Sequence, residues 1–249
     1  MSKQFLRTEL LIGKEKLARL HKSRVAVIGL GAVGSYAVEA LARAGIGHLC
    51  VIDCDVINES NINRQLYALH STVGRAKVEL AKERILDIYP KCKVEGLQMF
   101  AHSYSIGRVM EFRPDLVLDA VDSLNAKAGI LAELHTRGVP VLSSMGAALR
   151  RDPSKIKFGD ISETRGCPLA KLLRKRLRHK GIKSGIACVY STEETTGLFE
   201  EEAAAEEGTE DTPFWQGRKR SPLGSLPTLT GIFGLTLAHY AIEFLVKDG

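Results

Sequence analysis

Apolar positions along this chain switch repeatedly between two spacings. From residue 5 to residue 20, Leu6, Leu10, Leu17 and Leu20 recur among charges, which predicts an amphipathic helical region. Arg24 to Ile28 is a short β-branched run and reads as a strand. A glycine loop follows, and Ser35 to Ala44 then shows helical spacing. Leu49 to Ile52 is a second strand ending at Asp53. Val73 to Ile88 reads as a helix with Val78, Ala81, Ile85 and Ile88 on one side and Lys and Glu on the other. Further strands are predicted at Val94 to Leu97, Leu116 to Ala120 and Val139 to Ser143, with a helix over Ala126 to Arg137. Strands alternating with helices predict an α/β fold, doubly wound around a mainly parallel sheet.

Past about residue 150 the pattern changes, which predicts a C-terminal elaboration facing the substrate within a single domain over residues 1–249. Lys155 to Phe158 reads as a strand. In Leu169 to Lys183, leucines 169, 172, 173 and 177 line one helical face, and Lys171, Arg174, Lys175 and Arg178 line the other. Thr192 to Asp211 holds nine acids and no Lys or Arg, so a mobile loop is expected over 192–212, followed by a turn-rich connector from Pro213 to Pro227. Thr228 to Val246 is largely apolar. Its His239 and Glu243 argue for a buried or interface helix over a membrane span, with peripheral membrane contact left open.

Composition sharpens this only a little. Hydrophobic residues at 45% and charged residues at 26% suit a soluble globular chain with a sizeable core. The net charge of +6 favours polyanionic partners such as RNA. Lys3, Arg7, Lys14 and Lys16 interrupt any signal-like apolar run. The dispersed cysteines 50, 54, 92, 167 and 188 then read as reduced cytoplasmic thiols. No CxxC pair is present to hold a four-cysteine zinc.

The first chemical motif is Gly29-Leu30-Gly31-Ala32-Val33-Gly34, a GxGxxG between a strand and a helix. Glycines let the backbone approach a phosphate, and the helix N-terminus offers N–H groups and a favourable dipole to an anion. This Rossmann-like loop serves NAD, FAD and ATP binders alike. Asp53, at the end of the second strand, is placed to accept hydrogen bonds from ribose hydroxyls.

The second motif separates these cofactors. It runs Asp53-Cys54-Asp55 and then Glu59-Ser60-Asn61-Ile62-Asn63-Arg64-Gln65. Arg64 in this polar loop and Lys77 on the next helix are fixed cations of the kind that a departing pyrophosphate needs and a hydride transfer does not. Asp122, followed by Ser123, lies just beyond the Leu116–Ala120 strand, where a carboxylate could hold a magnesium ion (Mg2+) between phosphates. Singly, each residue could be an ordinary surface charge or helix cap. In this order and spacing they point to ATP.

With these residues in view, the chain resembles the ThiF/MoeB/HesA superfamily, the ubiquitin-activating type. The likeness rests on the glycine loop, Asp53-Cys54-Asp55, Ser60 to Gln65, Lys77 and Asp119-Ala120-Val121-Asp122, and runs from about Arg7 to Ser144. It implies ATP- and magnesium-dependent adenylation of a carboxylate, usually by a homodimer. It places Arg7 as an N-terminal arginine that reaches the nucleotide, sometimes across the dimer. The basic helix, Cys188 to Glu193, the apolar C-terminal helix and the opening Phe5 to Gly13 resemble the tRNA threonylcarbamoyladenosine dehydratases. In those, a threonylcarbamoyl side chain on a tRNA adenosine is cyclised. This implies tRNA as partner, with Lys171, Arg174, Lys175 and Arg178 on its phosphates and a sulfur-relay protein as a further partner. The region after Arg220 carries no cysteine where some relatives have one, which leaves Cys167 and Cys188 as the thiols nearest the substrate side.

Three rival readings remain open at this point: adenylation of a ubiquitin-like sulfur carrier, NAD-dependent oxidoreduction, and a non-catalytic RNA-binding scaffold. The missing CxxC pairs and the basic helix weigh against the first. Arg64 and Lys77 weigh against the second, and the complete set of polar residues against the third.

Overall fold

The computed structural model describes residues 3–195 and 223–247. Beyond residue 195, the acidic stretch expected as a loop lies outside the described residues, as does most of the connector after it. The expected N-terminal helical region forms two helices, α1 (Leu6–Ile12) and α2 (Lys14–Lys22), hinged at Gly13, whose φ is +88°. Strands β1 (Arg24–Ile28), β2 (His48–Ile52), β3 (Lys93–Leu97), β4 (Leu116–Asp119) and β5 (Val141–Ser144) alternate with helices α3 (Gly34–Ala44), α4 (Lys77–Ile88), α5 (Ile106–Glu111) and α6 (Leu124–Thr136). After them come β6 (Ile156–Asp160), α7 (Pro168–His179), β7 (Ala187–Ser191) and α8 (Pro227–Val246).

The strands form one seven-stranded sheet ordered β3-β2-β1-β4-β5-β7-β6. All neighbouring pairs are parallel except β6 with β7, which is antiparallel at the edge. Burial on both faces explains why the central strands read as continuous apolar runs. Val25 and Val27 of β1 face one core with α2, α3, α4 and α8, whereas Ala26 and Ile28 face the other with α5, α6 and α7. The chain leaves β1 toward β2 on one side and returns to β4 on the other. A crevice therefore opens beyond the carboxyl ends of β1 and β4, where ligands of such sheets bind.

Three differences from the sequence reading have physical causes. Helix α4 starts at Lys77, not Val73, because Gly74 turns the backbone at φ +85° and Val56 bridges Ala76. Ile57 N–H also donates to Arg75 O at 2.9 Å, so this segment is held by loop pairing and Lys77 falls in the first helical turn. Val139 N–H closes α6 on Leu134 O, which delays β5 to Val141. Strand β7 was not anticipated, since Ala187–Ser191 gains its partners β5 and β6 only through distant pairing.

Helix α8 is long and apolar enough to cross a membrane by length and composition, with a mean hydropathy of 1.5, but half of that stretch is buried inside the protein. Phe233, Leu237, Ala238 and Ala241 are fully buried, chiefly against α3, each large side chain contributing about 1.5–3 kcal/mol. Gly234 permits this contact, since a Cβ there would stand 2.3 Å from Val33 O. The packing brings α8 against the glycine loop and gives it the role of a core helix.

Candidate functional site

The glycine loop is shaped by close approach to β4. Gly29 has φ +90°, and an added Cβ would lie 2.9 Å from Ala120 O. At Gly34 a Cβ would lie 1.8 Å from Gly29 O, so a side chain there would prise α3 from the loop. Gly31 is different. A Cβ there meets only Gln65 Nε2, at 3.8 Å, so Gly31 and the half-exposed Ala32 line an open cradle at the start of an 11-residue helix. Ser35 N–H donates to Gly31 O and Ala37 N–H to Val33 O, each at 3.1 Å, which winds the loop into the helix and sets the positive end of its dipole at the cradle.

Asp53 fastens the cradle to β2. Its Oδ2 accepts from Leu30 N–H at 2.7 Å and its Oδ1 from Asp55 N–H at 2.8 Å. Each oxygen keeps a lone pair for a further donor such as a ribose hydroxyl. Burial pushes the Asp53 carboxyl above its ordinary range, and Lys77 with the two backbone N–H groups offsets part of that rise. Lys77, only 4% exposed, places Nζ 2.8 Å from Asp55 Oδ2 and 3.8 Å from Asp53 Oδ1. A buried ammonium between two carboxylates at a phosphate-sized cradle is a fixed positive charge at the crevice wall.

The loop from Ser60 to Gln65 closes one side. Asn61 Oδ1 accepts from Asn58 N–H at 3.1 Å and tightens its turn. Arg64 Nη1 donates to Ser60 O at 2.9 Å and to Asn63 Oδ1 at 2.8 Å, which fixes the guanidinium over the loop. The side chain of Gln65 is buried beside Gly31, and its Oε1 has no hydrogen-bond partner. An orphaned buried amide oxygen beside an open cradle fits a ligand that brings donors, as an adenine nucleotide does. Ser35 Oγ accepts from Leu66 N–H at 3.2 Å and ties this loop to α3.

Across the crevice, Asp122 is exposed and Ser123 is buried at the position just before α6, where its side chain makes no capping bond. The turn between them and β4 rests on a group absent from the sequence reading. Lys127, wholly buried on α6, donates to Asp119 Oδ2 at 2.5 Å, and Ser143 Oγ donates to the same oxygen at 2.6 Å. Asp119 Oδ1 accepts from Val121 N–H at 3.1 Å. The signal that could have found Lys127 is a lone charge inside the apolar run Ala126 to Ala132.

Asp53, Cys54 and Asp55 bring ligand atoms within 4.8 Å of one another. Asp53 and Asp55 are already committed to Lys77, however, and a thiol is a poor partner for a hard cation. Magnesium takes one or two carboxylates and several waters, and the exposed carboxylate of Asp122 is of the chemical type that it takes.

Two predicted groups stand apart from the cradle. Phe5 packs edge-on against His21 and Tyr89 with ring centroids 5.1 and 4.8 Å away, and Gln4 bonds Ile88 O. These contacts hold the N-terminal segment that bears Arg7 where α3 and α4 end, at the opposite end of the strands from the glycine loop of its own chain. Along α7, Lys171, Lys175 and Arg178 are exposed, whereas Arg174 Nη1 turns inward to donate to Thr164 O at 2.9 Å. Both thiols of the substrate side are buried, and burial pushes that of Cys188 up to about 12, so it stays protonated near neutrality.

Comparison with known proteins places these features in context. The chain matches the ThiF family over residues 4–249. It is 40% identical over 248 residues to a tRNA threonylcarbamoyladenosine dehydratase of Bacillus subtilis, covering 100% of this chain and 96% of that protein. It is 34% identical over 249 residues to the Escherichia coli protein of that name, covering 95% and 91%. The crystal structure of the E. coli dehydratase in complex with AMP superposes with a TM-score of 0.84 at 31% identity, covering 98% of this chain and 94% of that one. The same enzyme in complex with ATP also gives a TM-score of 0.84.

Proposed function

Because this chain belongs to the ThiF family, we propose that it is an ATP-dependent enzyme that dehydrates threonylcarbamoyladenosine in tRNA by way of a carboxyl adenylate. The observation that carries the reading is an open phosphate cradle at Gly31, walled by Asp53, Lys77 and Arg64, in a chain that matches such dehydratases along its whole length.

The substrate carboxylate attacks the α-phosphorus of ATP, the bond from that phosphorus to the bridging oxygen breaks, and pyrophosphate leaves. Backbone N–H groups at Gly31 to Gly34 hold the phosphates, and Lys77 and Arg64 stabilise the charge that grows on the leaving group. Asp122 would hold a magnesium ion, which would supply Lewis-acid screening of the phosphate oxygens. A nitrogen or oxygen of the same side chain then closes on the activated carbonyl and expels AMP. Closure is intramolecular, so proximity does most of the work and no protein nucleophile is needed. The protonated thiol of Cys188 agrees with that.

A homodimer completes the reading. The segment bearing Arg7 packs at the far end of the strands from its own cradle, and Leu10 and Leu11 beside it are 78% and 85% exposed, which suits a surface that pairs with a second copy and carries Arg7 to the partner's nucleotide. Exposed Lys171, Lys175 and Arg178 supply phosphate contacts to tRNA. A sulfur-relay protein as partner stays an expectation from the family resemblance. A cytoplasmic location is part of the same reading, supported by the proposed tRNA substrate and by the cysteines being free.

The test is incubation of the purified protein with ATP, magnesium and tRNA bearing the nucleoside, followed by mass spectrometry of the digested RNA. A loss of about 18 Da that needs ATP and yields AMP is expected for the removal of one water on ring closure. An unchanged nucleoside, with pyrophosphate exchange only when a ubiquitin-like carrier is added, would replace this reading with carrier adenylation.

A further inference from the structure

The loop after β5 contains a buried arginine that none of the chemistry above uses. Arg150 is 2% exposed. Its Nη2 donates to Gly166 O at 3.0 Å, but Nε and Nη1 have no hydrogen-bond partner, and no carboxylate pairs with it among the described residues. A guanidinium stays charged at any working pH, so burying it with unmet N–H groups is costly, and such groups are normally paired. Lys77 and Lys127, the other buried cations described here, both face carboxylates. The carboxylate of Glu193, which reaches the same loop, is occupied by the backbone N–H groups of Arg151 and Asp152 at 2.9–3.1 Å.

The position of this loop suits a substrate contact. It leaves the carboxyl end of β5, next to the end of β4 that bears Asp122. Leu149, held at φ +60°, donates its N–H to Gly224 O at 2.9 Å. Ser225 O in turn accepts from Asn63 Nδ2 at 3.5 Å, and Asn63 bonds Arg64. Short contacts thus join the Arg150 loop to the Arg64 loop along one rim of the crevice. Gly166, the single acceptor of Arg150, leads directly into Cys167 and basic helix α7. Arg150 stands between the nucleotide loop and the helix that carries the exposed cations.

We propose that Arg150 binds an oxyanion of the tRNA substrate, either the carboxylate of the threonyl side chain or a backbone phosphate next to it. The fork of a guanidinium matches both groups, and desolvation at this depth strengthens the pair. Bound there, the oxyanion would hold the side chain in register with the nucleotide cradle. Arg150 is in this sense a substrate-binding residue, and the assignment rests on the tRNA reading above.

The test compares wild type, Arg150→Met and Arg150→Lys for binding to two anticodon stem-loops that differ only in the threonylcarbamoyl group. ATP affinity and thermal midpoint are measured alongside. Arg150→Met is expected to lose about tenfold or more in affinity for the modified RNA, as removal of a charge-assisted hydrogen bond should. Arg150→Lys should keep most of it. Without RNA, the midpoint of Arg150→Met should hold or rise, since an unpaired buried charge has gone. Loss confined to the modified RNA assigns the carboxylate, and equal loss on both assigns a phosphate. Unchanged RNA affinity, or a lowered midpoint with loss of ATP binding, overturns the proposal and makes Arg150 structural. Binding needs no turnover, so RNA affinity that depends on Arg150 in a protein releasing no AMP would sink the dehydratase reading and leave the anion site standing.

Discussion

Lys127 Nζ lies 2.5 Å from Asp119 Oδ2, and neither side chain is exposed at all. The pair joins the last residue of β4 to the first turns of α6 and so fixes the turn on which Asp122 stands. With Ser143 Oγ on the same carboxylate, the end of β5 is held as well. A buried ion pair thus holds the turn that carries Asp122.

Breaking that pair from one side is expected to be expensive. Lys127→Ala should cost about 3–5 kcal/mol, because the Asp119 carboxylate is left buried and uncompensated. Lys127→Met combined with Asp119→Leu and Ser143→Ala should recover part of that loss, since no buried charge or hydroxyl is left without a partner and only the Val121 N–H loses its acceptor. Urea denaturation of the two variants decides this, and equal losses in both would show that the pair is not the source.

Lys77 carries the opposite expectation, a large functional loss with a small structural one. Lys77→Met keeps the packing of the aliphatic stem, and Asp53 keeps its bonds from Leu30 and Asp55. Turnover should fall about 10²–10³-fold, the range seen when one preorganised donor to a developing charge is removed. AMP release and circular dichroism, measured on one preparation, check both halves. Near-normal AMP release would remove Lys77 from the mechanism.

Cys54 offers a pH-dependent reading of the site. It is exposed, yet partial burial together with Asp55 and Asp53 raises its thiol to about 11. A raised acid pKa means that the folded protein favours the protonated thiol. At pH 8 the thiolate fraction is therefore about a hundredfold below that of an ordinary thiol, one factor of ten per unit. Iodoacetamide labelling followed by mass spectrometry should be slow at pH 8, quicken about tenfold per unit toward pH 10, and speed up in Asp55→Asn. Rapid labelling at pH 7 would contradict the electrostatic picture.

The exposed cations of α7 predict a salt effect. Reversal of Lys171, Lys175 and Arg178 to Glu should weaken tRNA binding at low salt. It should also flatten the dependence of log affinity on log salt, by about one for each phosphate that is no longer neutralised. Arg174 is left out of that set because its guanidinium is turned to Thr164, so Arg174→Gln should lower stability more than RNA affinity. Filter binding across a salt series separates the two effects, and an unaltered slope in the triple variant would move tRNA elsewhere.

What the sequence determined by itself was whatever depends on neighbours along the chain. The glycine spacing at 29, 31 and 34, the apolar runs of β1, β2 and β4, and the leucine face of α7 are local patterns. Periods of two and 3.6 residues convert such patterns into strands and helices. Arg64, Lys77 and Asp53 could be singled out because they follow the loop at short range. The tertiary structure decided everything that depends on partners far away. Strand β7 exists through pairing with β5 and β6, and α4 begins at Lys77 because Val56 bridges Ala76. Lys127 has no visible partner along the chain, and only the tertiary fold brings Asp119 of β4 and Ser143 of β5 around it. Arg7 is carried toward the far end of the strands by the ring contacts of Phe5, and Arg150 is buried against Gly166 from a different loop. Burial of a charge depends on what else fills the space, and sequence spacing carries no record of that.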